Sequence, residues 1–262
     1  MKHSEGNFKG WKDFNIYYQY WQPDSKQKAV LLVAHGFAEH SGRYGNLVNY
    51  FVPKGYAVWA LDHRGHGRSD GERIHVEHFT DYLKDLKTFY DIVRKQNPKD
   101  KIFLIGHSMG SMIALAYAAQ YQHELAGLVT SGGGLARPGE PPPPPRPSGQ
   151  PLPTAFLSRD PAVIKAYEND PLVYRGPLPQ RSAMTDMRTT LPELVPQIKL
   201  PTLIMAGNGG TDGARSRVLF EYIGATDKTL KLYEGLLHEI FNEPEHLTVM
   251  ADLEEWLKKH LS

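Results

Sequence analysis

Ile102-Phe103-Leu104-Ile105-Gly106-His107-Ser108-Met109-Gly110 is a short apolar run that ends in G-x-S-x-G and leads into a segment, 109–121, with the composition of a helix. Four consecutive apolar residues before a glycine read as a buried strand. The pentapeptide alone would arise by chance in roughly one chain of this size in ten. Its setting, strand before and helix after, makes it specific, because that is where a nucleophilic serine is held at the top of a sheet. A turn this tight leaves no room for side chains beside Ser108, hence the glycines. The helix N-terminus puts partial positive charge where an oxyanion would develop. The competing reading is that Ser108 only caps the helix.

Outward from that segment, short β-rich runs alternate with longer amphipathic ones. Strands are expected at 29–34, 56–61, 102–105, 128–130, 202–206 and 229–233, and an edge strand or hairpin arm at 14–21. Helices are expected at 44–51, 79–96, 109–121, 214–223 and 246–261. In the second of these, Phe79, Leu83, Leu86, Phe89, Tyr90 and Val93 recur at helical spacing. The alternation predicts a mostly parallel central sheet flanked by helices. From 132 to 153 glycine and proline dominate, with five consecutive prolines at 141–145, a composition that favours polyproline II. The segment after it supplies only two more strands, too few for a second core. The chain is therefore expected to be one domain, 1–262, with a short Pro-rich cap inserted at about 132–175 and a short helix at 161–169.

A serine hydroxyl needs a base to take its proton. Of the 12 histidines, His238 stands five residues after the last apolar strand and shortly before the terminal helix, the loop where such a base belongs. His35, His63 and His66 sit in glycine-rich strand-end turns and read as loop-bracing. The acid should fall between Ser108 and His238, after the penultimate strand. Asp212 is the only carboxylate in the turn 207–213, Gly-Asn-Gly-Gly-Thr-Asp-Gly. It would fix the His238 tautomer and stabilise the imidazolium, or else merely cap the helix that follows. The backbone N–H groups of Phe37, just after the strand 29–34, and of Met109 are the natural oxyanion donors.

Composition closes off other chemistries. The 262 residues contain no cysteine, which excludes a disulfide scaffold, a thiolate metal site and a cysteine nucleophile. Thirty basic against 29 acidic residues give a net charge of +1 with no basic block, so nothing draws the chain to nucleic acid. The first ten residues are polar, and no apolar run reaches the roughly 18 residues needed to span a bilayer. A cytoplasmic, metal-free enzyme is expected.

Four motifs in order carry a family likeness. His35-Gly36-Phe37-Ala38-Glu39-His40-Ser41-Gly42-Arg43-Tyr44, Asp62-His63-Arg64-Gly65-His66-Gly67-Arg68-Ser69-Asp70-Gly71, Gly106-His107-Ser108-Met109-Gly110 and Tyr233-Glu234-Gly235-Leu236-Leu237-His238 resemble the monoglyceride lipase and lysophospholipase-like branch of the α/β-hydrolases. The resemblance implies the α/β-hydrolase fold and a cofactor-free serine hydrolase acting on monoacylglycerols or related lipid-like esters, with at most transient contact with a lipid surface. It also implies that Glu39 and Arg43 match positions that hold the glycerol moiety; an ion pair bracing the loop is the alternative. Two departures stand out. The family's acid position falls on Gly210, in a turn about two residues short, and the cap is shorter than usual. A lactonase or broad carboxylesterase uses the same triad, and a non-catalytic binding protein on this fold is the third reading.

Overall fold

In the computed structural model, which describes residues 1–137, 139–140, 149–178 and 183–261, the polar N-terminal stretch is a strand. β1 (Lys2–Lys9) pairs antiparallel with β2 (Asn15–Gln22), so the alternating segment near 14–21 is the inner arm of a hairpin and β1 the sheet edge. There follow β3 (Ala29–Ala34), α1 (Gly45–Phe51), β4 (Tyr56–Leu61), α2 (Phe79–Gln96), β5 (Ile102–His107), α3 (Met109–Tyr121) and β6 (Gly127–Ser131). The C-terminal part adds α4 (Pro161–Asn169), α5 (Ala183–Leu194), β7 (Thr202–Gly207), α6 (Asp212–Tyr222), β8 (Lys228–Tyr233) and α7 (His246–Lys259).

The strands form one sheet in the order β1-β2-β4-β3-β5-β6-β7-β8, parallel from β4 to β8. Every residue of β3, β4 and β5 is buried, as their unbroken apolar runs require when helices cover both faces. Along β5, Ile102 and Leu104 face one core with Phe89 of α2 and Ile113 of α3. Phe103 and Ile105 face the other, with Phe51 of α1 and Leu253 and Trp256 of α7. Ten consecutive residues of α3, Met109–Ala118, are buried, so this helix is enclosed on all sides.

The strand order reverses between β3 and β5, and such a switch point opens a crevice at the carboxyl ends of the strands. Register aligns those ends: Ala34 lies opposite Gly106, and His107 opposite Ser131. The loops after β3, β5 and β6 therefore emerge side by side.

α5 had no signal in the sequence, where Pro192 and a run of threonines obscure the pattern; Met187 and Leu191 place it on the core beside α3. α4 lies where the short cap helix was expected. The proline run at 141–145 lies outside the described residues. Among the described residues no helix is long and apolar enough to cross a membrane.

Candidate active site

Ser108 joins β5 to α3 with φ 53° and ψ −113°, a conformation that L-residues avoid and that costs about 1–3 kcal/mol. Close packing imposes it. A Cβ on Gly106 would stand 2.3 Å from the Gly110 carbonyl oxygen, and one on Gly110 only 2.0 Å from that of Ala34. Strand and helix thus touch backbone to backbone, and the residue between them is pushed out of the sheet. Two hydrogen bonds brace the turn: Ser108 N–H donates to the Ser131 carbonyl of β6 at 2.9 Å, and Ser111 Oγ donates to the Gly106 carbonyl of β5 at 2.8 Å. Ser111 was not legible in the sequence; its signal is a small polar residue on an otherwise apolar buried helix.

Asp212 Oδ2 lies 2.6 Å from His238 Nδ1. The short turn reaches because α6 begins at Asp212, two residues earlier than expected, so the carboxylate projects from the first helical turn. The N-cap of α6 is Thr211, and its side chain makes no capping hydrogen bond. The turn 207–213 and the loop 234–238 are sewn together. Gly209 N–H donates to the Leu236 carbonyl at 2.8 Å, and a Cβ on Gly207 would meet the Leu236 and Leu237 carbonyl oxygens at 2.2 Å. Glu243, fully buried, accepts the Leu237 N–H at 2.7 Å and pairs with Arg159, bracing the loop from below.

With Nδ1 turned to Asp212, Nε2 of His238 has no hydrogen-bond partner among the described residues. The ring packs against His107, 4.8 Å between centroids, and Phe156, 5.1 Å. Gly132, at φ 60°, threads between them: a Cβ there would lie 3.2 Å from Cε1 of both His107 and His238. Among the described residues no hydrogen bond joins the Ser108 hydroxyl to His238. A Cβ on Gly36 would sit 3.3 Å from that of Ser108, so the loop after β3 directly abuts the serine. Neither Phe37 N–H nor Met109 N–H, the latter the first of α3, has an acceptor among the described residues.

Glu39 and Arg43 are together but not offered to solvent, with side chains 5% and 8% exposed. Arg43 pairs with Glu39 at 3.0 Å, makes a two-pronged contact with Glu239 at 2.5 and 2.8 Å, and lies 4.6 Å over the Tyr167 ring of α4. Burial pushes the Glu39 carboxyl up, but Arg43 and the neighbouring histidines pull it further down, to about 2. This geometry favours the bracing ion pair over a ligand contact. Glu239, which follows His238 directly, was not foreseen.

The segment 149–178 is pinned at both ends of the site. Tyr174 N–H donates to the Ala38 carbonyl at 2.9 Å, and His40 Nε2 lies 2.8 Å from Asp170. The Phe156 and Leu157 carbonyls accept the N–H groups of His238 and Glu239 at 3.2 and 2.7 Å. His35, His63 and His66 are buried beside one another. The His35 and His66 rings reach the Gly36 and Arg64 carbonyls at 2.7 and 3.0 Å, whereas neither ring nitrogen of His63 has a hydrogen-bond partner among the described residues. Burial holds all three below the ordinary histidine value of 6.5, His66 at about 3.

Residues 25–245 match the Hydrolase_4 family, described as serine aminopeptidase, S33. The chain belongs to this hydrolase family. It is 36% identical to a monoacylglycerol lipase of Mycolicibacterium smegmatis over 98% of both chains, and 31% identical to the monoglyceride lipase of Homo sapiens over 93% of this chain and 87% of that one. Among solved structures, the monoacylglycerol lipase of Paleococcus ferrophilus superposes with a TM-score of 0.80 at 29% identity, covering 94% of this hydrolase and 99% of that chain. The α/β-hydrolase fold and the monoglyceride lipase-like branch expected from the motifs are both borne out.

Proposed function

We propose that this hydrolase cleaves carboxylic esters, with monoacylglycerols and related short- to medium-chain lipid-like esters as its substrates, through a Ser108–His238–Asp212 acyl-enzyme mechanism. The observation that carries the reading is the Asp212–His238 contact of 2.6 Å in a loop facing the strained Ser108 elbow. With Nδ1–H held by Asp212, Nε2 takes the Ser108 proton as Oγ attacks the ester carbonyl carbon. The oxyanion is received by the N–H groups of Phe37 and Met109. Collapse expels the alcohol, which takes the proton from His238; water then attacks the acyl-enzyme with the same base. The hydroxyl–imidazole hydrogen bond closes as substrate settles, as such bonds tighten in the Michaelis complex.

The family description names a peptidase, but a free peptide amine needs an uncommitted carboxylate beside the site. Glu39 and Glu239 are taken by Arg43, Glu243 by Arg159 and the Leu237 N–H, and Asp212 by His238. That commitment, with the lipase names of the relatives, supports esters. In the same reading the chain is one α/β-hydrolase domain, 1–262, with residues 132–175 as its cap, and Glu39 and Arg43 support the site from beneath.

The test is a panel of p-nitrophenyl esters, monoacylglycerols, lactones and aminoacyl p-nitroanilides. Monoacylglycerols are expected to give the highest kcat/KM. Preference for lactones would move the assignment to a lactonase, preference for anilides would move it to a peptidase, and turnover of none would end the enzymatic reading.

A further inference from the structure

Gly36 is gripped from two sides by side chains that touch no reacting atom, one holding the peptide before it and one the peptide after it. Gly36 N–H donates to Glu39 Oε1 at 2.6 Å, and the Gly36 carbonyl oxygen lies 2.7 Å from His35 Nδ1. The partners decide the His35 tautomer. Nε2 receives the His63 backbone N–H at 2.8 Å and so is unprotonated, which leaves Nδ1 as the N–H that donates to Gly36. Glu39 returns to Gly36 because Ala38, at φ 66°, reverses the chain, and Tyr44 OH and Arg43 hold the carboxylate at 2.9 and 3.0 Å.

In a trans peptide the carbonyl and the following N–H point in opposite directions. Tying the Gly36 carbonyl to His35 therefore turns Phe37 N–H away from His35, and that N–H has no acceptor among the described residues. We propose that His35 and Glu39 are positioning residues that clamp Gly36, Glu39 through the N–H of the peptide before it and His35 through the carbonyl of the peptide after it, and so aim the Phe37 N–H at the substrate oxyanion. The inference rests on the ester-hydrolase reading above. The clamp continues through Arg43 to Glu239, next to His238, so one chain of hydrogen bonds fixes both the oxyanion donor and the loop of the base.

Two substitutions at position 35 separate aiming from mere packing. In His35→Asn the amide nitrogen falls where Nδ1 was, keeping a donor for Gly36 and losing the acceptor for His63. In His35→Gln the amide reaches the Nε2 position, keeping the His63 contact and losing the donor for Gly36. The readouts are kcat and KM on p-nitrophenyl butyrate and the Ki of a trifluoromethyl ketone, whose hemiketal presents an oxyanion. Losing a whole oxyanion donor costs about 10²–10³ in kcat, so mis-aiming one should cost about 10- to 100-fold. His35→Gln is expected to lose that factor in kcat with KM within about twofold, and to weaken the ketone by the same factor. His35→Asn should retain at least about tenfold more kcat than His35→Gln.

If His35→Gln does not fold, Glu39→Gln against Glu39→Met poses the same question. Only the glutamine keeps an acceptor for Gly36 N–H, and it should hold the higher kcat. Equal kcat for the two members of a folded pair, or a loss confined to KM, overturns the clamp while leaving the esterase standing. A parent protein that turns over no ester and is not labelled by a fluorophosphonate overturns the ester-hydrolase reading itself, and the clamp falls with it.

Discussion

Two turns at the carboxyl edge of the sheet, one after β5 and one after β7, each hand over a side chain to the site by opposite means. At Ser108 strand and helix backbones are in contact through Gly106 and Gly110, and the side chain is delivered by strain. At Asp212 the turn is loose and half exposed, Gly210 faces open space, and delivery depends on where α6 begins and on the stitches to the 234–238 loop. A turn built on strain has one solution and a sequence signature to match. A turn held by its neighbours can change length and still place its carboxylate.

The largest effect expected from breaking this pair of turns is at the first. Ser108→Ala should lower kcat by about 10⁶-fold, as loss of a triad serine does, and a fluorophosphonate should label the parent but not the variant. Equal labelling of both would remove Ser108 from the mechanism.

Next comes the acid. Asp212→Asn should fold normally and lower kcat by up to about 10⁴-fold, because the amide favours the wrong imidazole tautomer. Adding Gly210→Asp to that variant restores a carboxylate at the family's usual spacing. Since a side chain at 210 would enter open space, no recovery is expected. Recovery would mean that spacing, not the start of α6, governs the acid.

The third contrast is in stability. Gly110→Ala forces a Cβ into the Ala34 carbonyl and should cost about 3 kcal/mol or more. Gly210→Ala should stay within about 0.5 kcal/mol, as open surface positions do. Chemical denaturation measures both, and a similar cost for the two would erase the distinction between the turns.

The smallest effect is on acid tolerance. His66, buried behind the loop after β3, is held at about 3 against an ordinary 6.5. Between these values the unfolded chain binds the extra proton and the folded chain does not, so this contribution is complete above 6.5 and declines as the pH falls towards 3. His66→Gln should move the acid-unfolding midpoint to lower pH. An unchanged midpoint would show that His66 carries none of the acid sensitivity.

Much of this was readable before any coordinates. The buried strands are unbroken apolar runs, and the elbow is a short-range sequence pattern in which Gly106 answers to Gly110, although Gly110 in turn answers to the distant Ala34 carbonyl. His238 followed from its place after the last strand. The edge strand β1 escaped because its residues are polar on both sides, and α5 because Pro192 interrupts its periodicity. The Glu39–Arg43 pair is legible because it is local, but the second partner of Arg43 is not: Glu239 lies 196 positions away, and nothing local in the sequence couples them.

By itself, the sequence determined the class of fold and singled out Ser108 and His238 as the candidate nucleophile and base, because hydrophobic period and tight-turn chemistry are local and act wherever the chain carries them. Only the tertiary structure decided that Asp212 reaches His238 across a shortened turn, and that Glu39 and Arg43 are spent within the protein. Both outcomes depend on distances between segments far apart in the chain, which packing of the sheet, α6 and the cap sets and no single stretch of sequence encodes.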